Sequence, residues 1–159
     1  MTIASRAAST TALTAPSTEQ SPALASSTRT PWSSSTSPAA AGDVEELYGV
    51  RVEIASAGDC PVDGPLGAVV LAAREAMTNA AKFAGVDEID VYVEVSDDEV
   101  AVFVRDRGAG FDRRAVPADR RGLAESIEGR LERAGGRATI VSSPDEGTEV
   151  ELHVARSAS

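Results

Sequence analysis

Apolar and polar positions alternate or recur with clear periods from about residue 50 onward. Val50, Val52 and Ile54 alternate with Arg51 and Glu53, which predicts a half-buried strand. Gly58-Asp59-Cys60-Pro61 and Asp63-Gly64-Pro65 then mark a turn. Leu66, Val69, Val70, Ala73, Met77, Ala80, Ala81 and Ala84 recur at helical spacing and form one apolar stripe. That helix is predicted to start at Pro65 and to stop at Gly85. Ile89, Val91, Val93 and Val95 alternate with polar residues, and Val100, Val102 and Val104 follow after Ser96-Asp97-Asp98-Glu99, a hairpin signature. Residues 106–121 are polar and aperiodic, hence a long loop. Leu123, Ile127, Leu131 and Ala134 share a second helical face that Gly135-Gly136 end. Two strands, near Ala138–Ser142 and Thr148–Val154, flank Ser143-Pro144-Asp145-Glu146-Gly147.

The order is strand, helix, strand, strand, loop, helix, strand, strand. It predicts the α/β class: a two-layer α/β sandwich with a mixed, mostly antiparallel sheet and helices on one face.

Residues 1–41 break this pattern. They hold 10 Ser, 8 Thr, 10 Ala and 4 Pro, with Arg6, Glu19 and Arg29 as the only charges. Such a segment cannot bury enough apolar surface to offset an ordering cost of roughly 1–2 kcal/mol per residue. It reads as a disordered tail or linker, or as translation from upstream of the true start. No apolar core of signal-peptide length follows Arg6. The folded unit is expected over residues 42–157.

The chain carries 15 basic and 25 acidic residues. Without the tail's two Arg and one Glu, the remainder nets −11, from 13 basic and 24 acidic. That argues against a nucleic-acid duplex or an anionic membrane as partner. No apolar run is long enough for a membrane span. Cys60 is the sole cysteine, which excludes an intrachain disulfide and a cysteine-based zinc site. A soluble, cytoplasmic protein is expected.

Two segments carry candidate chemistry. Glu75, Asn79 and Lys82 are spaced i, i+4, i+7, on the helical face opposite the alanine stripe. A solvated Glu–Lys face is the ordinary reading of such spacing. Asn79 argues against it, because Asn is a mediocre helix former in the middle of an alanine-rich run. Its amide oxygen suits Mg²⁺. Glu75 could act as a base and Lys82 could reach phosphate oxygens. The other segment is Asp106-Arg107-Gly108-Ala109-Gly110, directly after the Val102-Phe103-Val104 strand. A buried Asp106 could accept from the exocyclic amine of adenine. Gly108 and Gly110 permit positive φ and close backbone approach to a flat ligand. Alone, this is also a common tight turn.

In combination, the motifs resemble the catalytic ATP-binding domain of bacterial sensor histidine kinases, in the superfamily shared with gyrase and mismatch-repair ATPases. Arg74-Glu75-Ala76-Met77-Thr78-Asn79-Ala80-Ala81-Lys82 resembles the asparagine box. Asp106 to Asp112 resembles the first glycine box, Arg121 to Ile127 the second, and Gly147-Thr148 the closing Gly-Thr. Glu132 to Gly136 followed by Ser142 to Thr148 is similar to actinobacterial sensor kinases. The resemblance implies a Bergerat-type ATP-binding fold, with ATP and Mg²⁺ bound. It implies Glu75 as the base-like residue, Asn79 as the Mg²⁺ ligand and Lys82 on phosphate. It implies Asp106 on the adenine amine, helped by Gly108 and Gly110, with Thr148 nearby. Residues 112–121 would be a mobile lid. Gly122, with Leu123 and the helix N-terminus that follows, would cradle phosphates.

Two positions depart from the pattern. Phe83 stands where many relatives have histidine, and the second glycine box has a single glycine. His153 is the only histidine in the chain and is expected to be solvated, on the Glu149/Glu151 side of the last strand. Nothing in residues 1–49 reads as a phosphoacceptor helical hairpin. The resemblance therefore implies transfer from Mg-ATP to a histidine on another domain or chain, with a dimerisation domain or response regulator as partner. The alternatives are a stand-alone anti-sigma-factor-type serine kinase or switch protein, and a truncated, non-catalytic ATP-binding module.

Overall fold

The structure, a computed structural model, describes residues 37–62, 64–116 and 118–156. The elements in chain order are α1 (Ser37–Tyr48), β1 (Arg51–Ala57), α2 (Pro65–Asn79), β2 (Glu88–Val95), β3 (Glu99–Asp106), α3 (Ala118–Arg133), β4 (Gly136–Ser143) and β5 (Gly147–Ala155). α2 runs on into a single π turn, Ala80–Ala84, and Gly85 ends it with φ +68.

The sheet order is β1-β2-β3-β5-β4. β1 pairs parallel with β2, and every other pair is antiparallel. A parallel neighbour requires a crossover, and α2 supplies it. The helices cover one face. On that face lie Ile89, Val91 and Val93 of β2, Val100, Val102 and Val104 of β3, and Val150, Leu152 and Val154 of β5, all buried. Each such side chain contributes roughly 1.5–3 kcal/mol when withdrawn from water. The expected two-layer α/β sandwich is therefore the observed fold.

Helix α1 starts at Ser37, five residues before the expected boundary of the folded unit. Ala40, Ala41 and Val44 are buried in the core, with Val44 only 1% exposed. Small residues let α1 approach α2 closely, so a composition that looked tail-like contributes packing. The rest of the tail lies outside the described residues. β1 also differs from expectation. It is an edge strand, exposed along nearly its whole length, and Val52 is its best-covered residue.

α2 buries more than its predicted stripe. Ala72 and Ala76 join Leu66, Val69, Ala73 and Met77 in the core. The helix touches the sheet on one side, α1 on another and α3 on a third. Its Glu75 face is therefore not a free solvent face, as the periodicity alone suggested.

Candidate functional site

β3 continues its inward alternation through Val100, Val102 and Val104 to Asp106, which puts a carboxylate on the helix-covered face. Asp106 is 4% exposed and is the one buried charged residue among those described. Across the ladder it sits opposite Thr148 of β5. The Gly108 N–H donates to its Oδ1 at 2.9 Å. Burial pushes the Asp106 carboxyl above its ordinary range, and the backbone N–H groups of Gly108 and Thr148 pull it partly back.

Asp106 opens into a cavity of about 300 Å³, at the lower end of ligand-pocket sizes. Ala76, Asn79, Ala80 and Phe83 form one wall, and Ala124, Glu125, Ile127 and Glu128 of α3 form another. Asp106, Gly110, Phe111 and Thr148 close one end, and Arg113 and Arg121 also line the space. Asn79, the Asp106–Gly110 segment and Thr148 are thus brought together from three separate stretches of chain. No hydrogen bond to a described residue occupies the half-buried Asn79 amide. A hard cation could use its oxygen, so this residue fits a Mg²⁺ ligand. Among the described residues no cluster of three acidic, histidine or cysteine side chains offers a full cation cage. Any Mg²⁺ here would therefore draw most of its ligands from phosphates and water.

Other candidates lie elsewhere. Glu75 is not in the cavity lining; its Oε2 accepts from Arg130 Nη1 of α3 at 2.9 Å. The Lys82 ammonium lies over the Tyr48 ring, 5.6 Å from its centroid. The π turn explains this. Its wider winding advances each residue by less than an α-helix does, so Lys82 lags behind the i, i+7 position and turns toward α1.

The glycines have a different task from the one their spacing suggested. Only Gly110 of the loop pair has positive φ, at +58. A Cβ on Gly108 would collide with the Ala84 carbonyl, and one on Gly110 with the Ser143 carbonyl. Between them, the Ala109 N–H donates to Ala84 O at 3.1 Å and the Asp145 N–H donates to Ala109 O at 2.7 Å. The loop is pinned between the π turn and the β4–β5 turn, so its glycines permit backbone–backbone contact.

Gly122 and Leu123 do not head a helix. α3 begins at Ala118, so Gly122 is its fifth residue and its N–H falls within the intrahelical ladder. The segment implied as a lid is loop through Val116 and helix from Ala118.

Sequence reasoning missed Ser142. Its Oγ accepts from the Phe111 N–H at 2.9 Å and donates to Gly147 O at 3.0 Å. It also lies 2.9 Å from Thr148 Oγ1. A hydroxyl has one proton, so giving it to Gly147 leaves Thr148 donating back to Ser142. The only available signal was a serine pair ahead of a turn.

His153 also differs from expectation. It does lie on the uncovered face with Glu151, but its side chain is 15% exposed and it stacks edge-on against Phe103, 5.9 Å between centroids. The solvated histidine is in fact largely covered, because Phe103 of the neighbouring strand shields it.

Residues 67–158 match the family of histidine kinase-, DNA gyrase B- and HSP90-like ATPases. The chain belongs to this family. It is 37% identical over 93 residues to an uncharacterised sensor-like histidine kinase of Chloroflexus aurantiacus, covering 55% of this chain and 16% of that one. It is 36% identical over 84 residues to the oxygen sensor histidine kinase NreB of Staphylococcus carnosus, covering 51% and 23%. The chain thus spans less than a quarter of the length of these relatives. Among solved structures, the ATP binding domain of PrrB from Mycobacterium tuberculosis superposes with a TM-score of 0.62 at 22% identity, covering 82% of this chain and 98% of that one. At that identity the likeness concerns the fold. The family ATPase domain carried by this chain matches those of sensor histidine kinases. No described helix is long and apolar enough to cross a membrane.

Proposed function

We propose that this chain is the ATP-binding catalytic module of a two-component sensor histidine kinase, passing a phosphoryl group from Mg-ATP to a histidine on another domain or chain. The observation that carries the reading is the buried Asp106 at the end of β3, facing a cavity that Asn79 also lines. A buried carboxylate held only by backbone N–H groups remains costly, and a directional donor such as the adenine amine offsets part of that cost.

In this reading Asp106 accepts from the adenine amine while Thr148 and Gly110 border the base. Phe83 and Phe111 give apolar cover. Asn79 holds Mg²⁺, which when bound neutralises charge on the phosphates. Arg113 and Arg121 are the cavity's cations and face the triphosphate, and Glu75 orients the incoming nucleophile from the α2–α3 seam. The acceptor nitrogen attacks the γ-phosphorus, the bond to the β,γ-bridging oxygen breaks, and ADP leaves. His153 is not the acceptor here. It sits on the uncovered sheet face, away from the helix-covered face where the cavity lies. The partners are accordingly a histidine-bearing dimerisation domain or a response regulator, met in the cytoplasm.

Calorimetric titration of the chain with ATP, with and without Mg²⁺, tests this reading. Wild type should bind, Mg²⁺ should strengthen binding, Asp106→Asn should abolish or sharply weaken it, and Asn79→Ala should remove the Mg²⁺ effect. Equal binding by wild type and both variants would refute the site.

A further inference from the structure

Glu75 and Asn79 stand one turn apart on α2, yet only Asn79 lines the cavity. Glu75 reaches sideways to Arg130, 55 positions on in the chain, so the pair is tertiary and not a local helix pattern. The two side chains are 22% and 33% exposed, the best-covered arginine–carboxylate pair among the described residues. α3 therefore holds the cavity loop and α2 at two nearby points. Glu128 accepts from Arg113 of the cavity loop at 2.9 Å, and two residues later Arg130 holds Glu75. Glu75 has several side-chain torsions and would otherwise spread over many rotamers. The guanidinium selects the one directed along the seam between α2 and α3.

We propose that Arg130 is a positioning residue for phosphoryl transfer. It acts through Glu75 and sets turnover without setting nucleotide affinity. This rests on the function proposed above and adds a residue of α3, outside the asparagine box, to the reaction. In the simplest form of that reaction, water is the co-reactant. Its oxygen bonds to the γ-phosphorus, the bond from that phosphorus to the bridging oxygen breaks, and ADP and inorganic phosphate leave. The proton released by water passes by way of Glu75 to solvent.

The test uses the full chain as wild type, Arg130→Gln, Arg130→Lys, Glu75→Gln and the Glu75→Gln/Arg130→Gln double variant. Mg-ATP binding is measured by calorimetry and phosphate release at saturating Mg-ATP. Arg130→Gln should bind within about twofold of wild type while kcat falls on the order of tenfold or more with KM held, the scale of a misplaced base. Arg130→Lys should recover part of that loss. The double variant should be no slower than Glu75→Gln alone, because both changes remove one function.

Wild-type turnover by Arg130→Gln, or full additivity in the double variant, would overturn the proposal. So would a Glu75→Gln variant that binds Mg-ATP and keeps wild-type phosphate release. A wild type that binds no ATP overturns this proposal and the function beneath it together, and calorimetry distinguishes that case from the others.

Discussion

The Lys82 ammonium lies 5.6 Å from the centre of the Tyr48 ring, so the last residue of α1 holds the cation that closes the asparagine-box pattern. Tyr48 is 38% exposed, and such a contact is worth roughly 0.5–1 kcal/mol. Arg121 lines the cavity instead, with its Nε donating to Val116 O at 3.0 Å. Lys82→Ala is therefore expected to change ATP affinity by no more than about twofold. Arg121→Ala should weaken it by about tenfold, the scale of one charged hydrogen bond. Parallel titrations of the two variants with ATP decide between them, and the reverse ranking would return the phosphate contact to Lys82.

Asp106 should oppose folding while serving binding. Its carboxyl is raised above the ordinary 3.8 chiefly by burial, so the ionised form is penalised in the folded state. The penalty is absent below pH 3.8, where the group is protonated whether folded or not, and complete above the raised value. Asp106→Asn should therefore unfold at a higher temperature than wild type at pH 7 without nucleotide, with the gap closing as pH falls toward 3.8. Thermal melts of both proteins across that range check the sign. A lower melting temperature for the variant at pH 7 would show that the Gly108 and Thr148 N–H groups outweigh burial.

Ser142 joins three backbone and side-chain groups of the glycine loop and the last hairpin. Ser142→Ala leaves the Phe111 N–H without its acceptor in a partly buried place. A loss of about 1–3 kcal/mol is expected in urea denaturation. Adenine binding should weaken too, because Thr148 loses its orienting partner. An unchanged midpoint would mean that water replaces the hydroxyl.

Two glycines should respond with opposite signs. Gly110→Ala forces a side chain into positive φ and into the Ser143 carbonyl, and is expected to cost several kcal/mol. Gly129, inside α3, has only the flexible end of Arg133 near its virtual Cβ, at 3.5 Å. Gly129→Ala should stabilise by about 0.5–1 kcal/mol through helix propensity. Chemical denaturation of both variants tests the pair.

Much of this arrangement could be read along the chain. Strict alternation from Val100 to Val104 already directs Asp106 inward, and the hairpin signals give the β2–β3 and β4–β5 pairings. Asn79, odd in an alanine-rich helix, marked a second lining residue of the cavity. α1 escaped because its buried residues are mostly alanines, which carry little periodic signal. The start of α3 escaped because Arg120 and Arg121 resemble loop residues. Their helix is held by packing further along, at Ile127 and Leu131.

Local periods are legible along the chain: which residues form strands, which faces turn inward, and therefore that a carboxylate ends β3 on the covered side. What each polar side chain meets depends instead on how the elements pack. The π turn sends Lys82 to Tyr48, α3 takes Glu75 through Arg130, and the glycines of the loop meet carbonyls of the neighbouring turns. The reason is physical. Periodicity follows from backbone geometry a few residues long. Contacts between residues 55 positions apart depend on how helices settle on a sheet, which no local pattern encodes.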